Sequence, residues 1–135
     1  MDKKQLCVML VDDNYDDNFF HERVIKKSNL PCTVITKTTG IEALEYIKAN
    51  DAHEVHPDLI FLDINMPKMN GWEFLEAYHQ LNRELKNRAV VIMLTTSDNI
   101  DDVRRAKDIT SEYHTKPLTM EKFLTVVKKY IDSKI

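Results

Sequence analysis

Leu59-Ile60-Phe61-Leu62 is a run of four apolar residues, and it ends in Asp63. A short apolar run without alternation, opened here by Pro57, reads as a strand buried on both faces. Three other stretches share the pattern. Leu6-Cys7-Val8-Met9-Leu10-Val11 ends in Asp12-Asp13, Val90-Val91-Ile92-Met93-Leu94 ends in Thr95, and a shorter stretch around Tyr113 ends in Lys116-Pro117. Strands buried on both faces belong to a parallel sheet with helices on each side. Laid parallel in one sheet, these runs bring three acids, a hydroxyl and a lysine to a single edge. That edge is where open α/β sheets bind ligands.

Between the runs the hydrophobic period becomes that of helices. Residues 16–28 read as a helix with Phe20, Val24 and Ile25 on its inner face and Asp16 or Asp17 as its N-cap. Thr33-Val34-Ile35-Thr36 is β-branched throughout and reads as a second, shorter strand. Thr39-Gly40 opens a helix carrying Ile41, Leu44 and Ile47. Asn70 caps a helix over 71–81 with Phe74, Leu75, Tyr78 and Leu81 on one stripe. A mostly polar helix is expected over about 98–107, anchored by Ile100 and Val103, followed by a strand near 111–115. Thr119 caps a last helix whose stripe is Met120, Phe123, Leu124, Val127, Tyr130 and Ile131. The expectation is an α/β fold of five strands and five helices, one domain spanning residues 1–135 with no output domain.

Composition bounds the function. The net charge of -3, from 19 basic and 22 acidic residues, gives no electrostatic pull toward nucleic acid or an anionic membrane. No apolar run approaches the roughly 20 residues of a membrane span, and the N-terminus has no signal-peptide pattern, so a cytoplasmic location is expected. Cys7 and Cys32 both lie in strand-like runs and read as small buried hydrophobes rather than a disulfide. The five histidines show no paired metal-ligand spacing, and His114 reads as a packing residue.

The strand-end residues carry a specific chemistry. Two carboxylates about 4 Å apart repel by on the order of 4 kcal/mol at an effective dielectric of 20, so Asp12, Asp13 and Asp63 together call for a cation. Oxygen-only ligation suits Mg²⁺, or Mn²⁺. Lys116 would add a fixed positive charge, and Thr95 a hydrogen bond to an anion. A metal, a lysine, a hydroxyl and a carboxylate nucleophile compose a phosphoryl-transfer site, in which positioning and charge stabilisation do most of the catalysis. Asp63 stands alone at its strand end and is the candidate to form an acyl phosphate.

At this point the residues resemble a family. Val11-Asp12-Asp13-Asn14, Asp63-Ile64-Asn65-Met66-Pro67-Lys68-Met69-Asn70-Gly71, Leu94-Thr95-Thr96 and Tyr113-His114-Thr115-Lys116-Pro117 are similar, in order and in strand context, to the motifs of response-regulator receiver domains. The resemblance covers essentially the whole chain. It implies a flavodoxin-like, doubly wound (βα)5 fold with strand order 2-1-3-4-5 and helices on both faces. It also implies that Asp63 is the phosphoacceptor, and that Asp12, Asp13, Asp63 and the backbone carbonyl of Asn65 hold Mg²⁺. By the same resemblance Thr95 binds a phosphoryl oxygen, and Lys116 pairs with the phosphoryl group and, before it arrives, with Asp63. Tyr113 matches the aromatic switch that turns inward with Thr95, and the Lys116-Pro117 bond is expected to be cis. Thr96 departs from the smaller residue common in the family and would restrict access to the phosphoryl group. Asn65 and Ser97 occupy the two positions that tune phosphoryl lifetime.

The functional expectation is a two-component phosphorelay protein. It would accept phosphate from a histidine kinase or a histidine phosphotransfer protein. It would then present a switched surface, made of the helix at 98–107, the fifth strand and the last helix, to a downstream protein. It would catalyse only its own phosphorylation and dephosphorylation. A degenerate receiver that binds partners without phosphorylation is the alternative. A haloacid-dehalogenase-like hydrolase would need a second aspartate where Asn65 stands. A flavodoxin would need a glycine-rich phosphate loop after the first strand, where this chain has acids and only two glycines in all.

Overall fold

The computed structural model describes residues 5–49, 56–81, 89–96, 104–105 and 112–133. Five parallel strands form one sheet: β1 (Leu6–Val11), β2 (Cys32–Lys37), β3 (Leu59–Leu62), β4 (Val90–Thr95) and β5 (Glu112–Thr115). Their spatial order is β2-β1-β3-β4-β5. The helices are α1 (Tyr15–Lys27), α2 (Gly40–Lys48), α3 (Gly71–His79) and α4 (Met120–Ser133). This is the flavodoxin-like doubly wound arrangement. The register aligns the strand ends, with Val11 beside Leu62, Leu62 beside Met93, and Thr95 beside Thr115. Asp12, Asp63, Thr95 and Lys116 therefore leave the sheet along one edge.

Alternate strand residues fill two cores, one on each face. Val8, Leu10, Leu59, Phe61, Ile92 and Leu94 pack with Ile25 of α1 and with Phe123, Val126 and Val127 of α4. Met9, Val11, Ile60, Leu62 and Met93 pack with Ala43, Leu44 and Ile47 of α2 and with Trp72, Phe74, Leu75 and Tyr78 of α3. Burial of each large apolar side chain contributes about 1.5–3 kcal/mol over leaving it exposed. Among the described residues, no helix is long and apolar enough to cross a membrane.

Helix starts differ from the sequence reading in instructive ways. The cap of α1 is Asn14, whose side chain accepts from the Asp17 N–H at 3.0 Å. Asp16 and Asp17 instead occupy the first turn, where their charge favours the helix dipole. The inner face of α1 is Asn18, His21 and Ile25, while Phe20 is half exposed. Each residue turns the helix by about 100°, so a face set by 18, 21 and 25 sends position 20 outward. Ile41, Leu124 and Ile131 are likewise exposed, and Val126, absent from the expected stripe of α4, is buried. Thr39, Asn70 and Thr119 cap their helices as the sequence suggests, Asn70 with Glu73 in a capping box.

Of the helix expected over 98–107, Arg104 and Arg105 are described and helical; Ile100 and Val103 lie outside the described residues. The Arg105 guanidinium stands 4.6 Å from the ring centre of the buried Trp72.

Candidate functional site

The site grows from the ends of β1 and β3. Asp12 and Asp63 are both buried, and the backbone pairs across them: the Asp12 N–H donates to Lys37 O (3.1 Å) and the Asp63 N–H to Val11 O (3.0 Å). Asp12 Oδ1 accepts from the Asn14 N–H at 2.9 Å, and Asp63 Oδ1 from the Asn65 N–H at 3.4 Å. Asp13 is exposed, yet an oxygen of each of Asp12, Asp13 and Asp63 lies within 4.8 Å of the others.

The segment from Asp63 to Gly71 is folded tightly back on the strand end. Lys68 takes a left-handed conformation (φ 67°), and the Gly71 N–H donates to Ile64 O at 2.8 Å. A Cβ on Gly71 would stand 2.6 Å from Asp63 O and 2.8 Å from Ile64 Cα. Glycine at that position lets α3 start against the backbone of Asp63.

Lys116 enters from the end of β5, before a cis Lys116–Pro117 peptide bond. Its Nζ is 2.5 Å from Asp12 Oδ2, 2.8 Å from Asp17 Oδ2 and 3.6 Å from Asp63 Oδ2. Burial alone would pull the Lys116 pKa down. The hydrogen bonds to Asp12 and Asp17 and the charge of Asp63 outweigh it and push the pKa up, so the ammonium stays charged. The lysine lies closer to Asp12 and Asp17 than to Asp63.

The chain matches known proteins over nearly its whole length. Residues 8–128 match the response regulator receiver domain. The chain belongs to the response regulator receiver domain family. This receiver domain is 33% identical over 129 residues to Protein PilG of Pseudomonas aeruginosa, covering 95% of this chain and 89% of that protein. It is 33% identical over 124 residues to Sensor histidine kinase CheAY of Helicobacter pylori, covering 92% of this chain but spanning only 15% of that protein's length. A solved two component response regulator from Cytophaga hutchinsonii superposes with TM-score 0.86 at 28% identity, covering 96% of this chain and 99% of that one.

Receiver domains bind Mg²⁺ at an acidic pocket. The donor set here fits: three carboxylates able to offer one oxygen each to a common point, all hard oxygen ligands. The other residues expected from the sequence are placed as follows. Asn65 and Thr96 are exposed. Tyr113 is partly buried and packs against the core that contains Met93. The side chain of Thr95, and all of Ser97, lie outside the described residues.

Three residues of α1 escaped the sequence reading. Asp17, read as a cap, pairs with Lys116. Asn18 is buried and donates from Nδ2 to Asp12 O (2.9 Å) and Lys37 O (3.4 Å). His21 is buried beside the site; burial first, then the charge of Lys116, lower its pKa against the opposing pull of Asp17 and Asp12. The available signal was spacing: 14, 17, 18 and 21 lie within two turns of one helix that starts at the acid pair.

Proposed function

We propose that this receiver domain accepts a phosphoryl group on Asp63 from a phosphohistidine of a histidine kinase or a histidine phosphotransfer protein. The observation that carries this reading is the buried Asp63 carboxylate, held among Asp12, Asp13 and Lys116 at the end of β3. An Asp63 carboxylate oxygen attacks phosphorus, a phosphorus–oxygen bond forms, and the phosphorus–nitrogen bond of the donor breaks with its electron pair returning to the imidazole. Asp12, Asp13, Asp63 and the Asn65 carbonyl would hold Mg²⁺ (or Mn²⁺), which supplies charge neutralisation for the incoming phosphoryl oxygens. Lys116 exchanges its carboxylate partners for a phosphoryl oxygen, and Thr95 donates to another. Later attack of water on phosphorus returns the free carboxylate, with Asn65, Thr96 and Ser97 setting how fast. The domain thus catalyses reactions of its own side chain rather than of a metabolite.

In this reading the movement of Thr95 and Tyr113 is relayed to the surface of residues 98–107, β5 and α4, where a downstream protein docks. Support comes from α4, which leaves Met120, Leu124 and Ile131 exposed. The test is incubation with acetyl phosphate and Mg²⁺, followed by intact-mass measurement. A gain of one phosphoryl group is expected, absent in EDTA and in Asp63→Asn. No gain in the wild type would instead favour a receiver that binds partners without phosphorylation.

A further inference from the structure

Beside Asp63 lies a cavity of about 10 Å³ whose eight lining residues include Asp12, Asn18, His21 and Asp63. About one water molecule fits a space of that size, provided it has two to four polar partners. Four of the eight lining residues are polar, and all four are more than nine-tenths buried.

Asn18 supplies the decisive detail. Its Oδ1 is buried and has no hydrogen-bond partner among the described residues. Turning the amide over does not help, because Nδ2 already donates to the carbonyls of Asp12 and Lys37 and the flipped oxygen would face both. A buried amide oxygen left unpaired is costly, by about 1–3 kcal/mol. His21 lies one turn further along the same face of α1 and lines the same cavity.

We propose that Asn18 and His21 hold one water molecule in this cavity, and that the water fixes the inner side of the Asp63 carboxylate as positioning residues would. The water donates to Asn18 Oδ1 and to a carboxylate oxygen of Asp63, and a ring nitrogen of His21 completes its shell. Asp63 is then gripped from behind, while its outer side faces the phosphodonor. No bond to phosphorus is made on this side, so the water is a positioning group and not the one that hydrolyses the acyl phosphate. The inference rests on Asp63 being the phosphoacceptor.

Two measurements test it. A crystal structure of the wild-type chain is expected to show one ordered water within hydrogen-bond distance of Asn18 Oδ1. A dry cavity, or a direct hydrogen bond from His21 to Asn18 Oδ1, overturns the proposal whether or not Asp63 is phosphorylated. The second measurement is the rate of Asp63 phosphorylation by acetyl phosphate and Mg²⁺. His21→Leu, which removes the polar partner, is expected to slow it about fivefold, the worth of roughly one hydrogen bond. His21→Gln is expected to restore the rate, which mere repacking of the cavity would not do. A wild-type rate in His21→Leu, or no rescue by His21→Gln at equal folded fraction, counts against the proposal. A wild type that takes no phosphate at all instead defeats the phosphoacceptor reading.

Discussion

Lys116 Nζ lies 2.8 Å from Asp17 Oδ2, joining the end of β5 to the first turn of α1 across 99 residues of sequence. The two partners are unequal. The Asp17 side chain is 37% exposed, while those of Lys116, Asp12 and Asp63 are at 10%, 6% and 7%. Water screens the Asp17 pair, so Asp17→Asn is expected to change stability by less than about 1 kcal/mol. Lys116→Met leaves Asp12 and Asp63 buried without their cation, and a loss of about 3–5 kcal/mol is expected in EDTA. Mg²⁺ should recover more stability in Lys116→Met than in the wild type, because it replaces the missing charge. Urea melts of the three proteins with and without Mg²⁺ check this. Equal losses in the two variants would show that Asp17 and not the buried acids makes the lysine's principal pair.

Asp13 differs from its neighbour. It is exposed, and the Lys116 ion pairs run to Asp12, Asp17 and Asp63. From the sequence, three close acids suggest strong mutual repulsion. In the fold, the ammonium of Lys116 stands among the buried acids and water surrounds Asp13. Asp13→Asn is therefore expected to leave the metal-free melt within about 0.5 kcal/mol of wild type. It should nonetheless abolish stabilisation by Mg²⁺, because one of the three carboxylates proposed to hold the ion is gone. A calorimetric Mg²⁺ titration reads the second effect, and an unchanged affinity would remove Asp13 from the site.

Gly71 is required by distance rather than by backbone angle. A methyl group there would meet the backbone of Asp63 and Ile64 at 2.6 and 2.8 Å, and neither atom belongs to a flexible side chain. Gly71→Ala is expected to cost about 1–3 kcal/mol through forced backbone shifts. Those shifts fall on the residue proposed to take the phosphoryl group, so the phosphorylation rate by acetyl phosphate should drop more than the folded fraction does. A rate that follows the folded fraction alone would place the strain in α3.

The edge that gathers Asp12, Asp63 and Lys116 was legible in runs such as Leu59–Leu62, whereas the strand order came from the resemblance to receiver domains, carried by segments such as Asp63–Gly71. What escaped lies on α1. Phe20 looked like core, since the hydrophobic pattern alone does not show that polar Asn18 and His21 fill the inner face. Those two are buried beside the acid cluster, where Asn18 Nδ2 donates to the carbonyls of Asp12 and Lys37. Asp17 was hidden for a related reason: its role depends on Lys116, and no local pattern links two residues so far apart in the chain. Asp58 is a third case. It stands just before β3, away from the acid cluster, yet it is buried and accepts from the Cys7 N–H at 2.9 Å and from the Tyr130 hydroxyl at 3.0 Å.

The Tyr130–Asp58 hydrogen bond ties α4 to the end of the sheet opposite Asp63. Burial, and then the hydrogen bond to Asp58 and its charge, push the Tyr130 phenol up to about 12. The unfolded chain releases that proton near the ordinary value of about 10. Between the two values the folded state holds more protons than the unfolded one. The contribution to stability is therefore complete below pH of about 10 and is lost as pH rises toward about 12. Tyr130→Phe removes the bond at every pH, with an expected cost of about 1.5 kcal/mol at neutrality. Its stability should also fall less steeply with alkaline pH than the wild type's. Tyr78, whose hydroxyl donates to Ala89 O at 3.3 Å and whose phenol burial also raises to about 12, persists in both proteins and supplies the residual slope. Urea melts from neutrality to pH of about 11 distinguish the two, and parallel profiles would show that the Asp58 bond does not hold the Tyr130 proton.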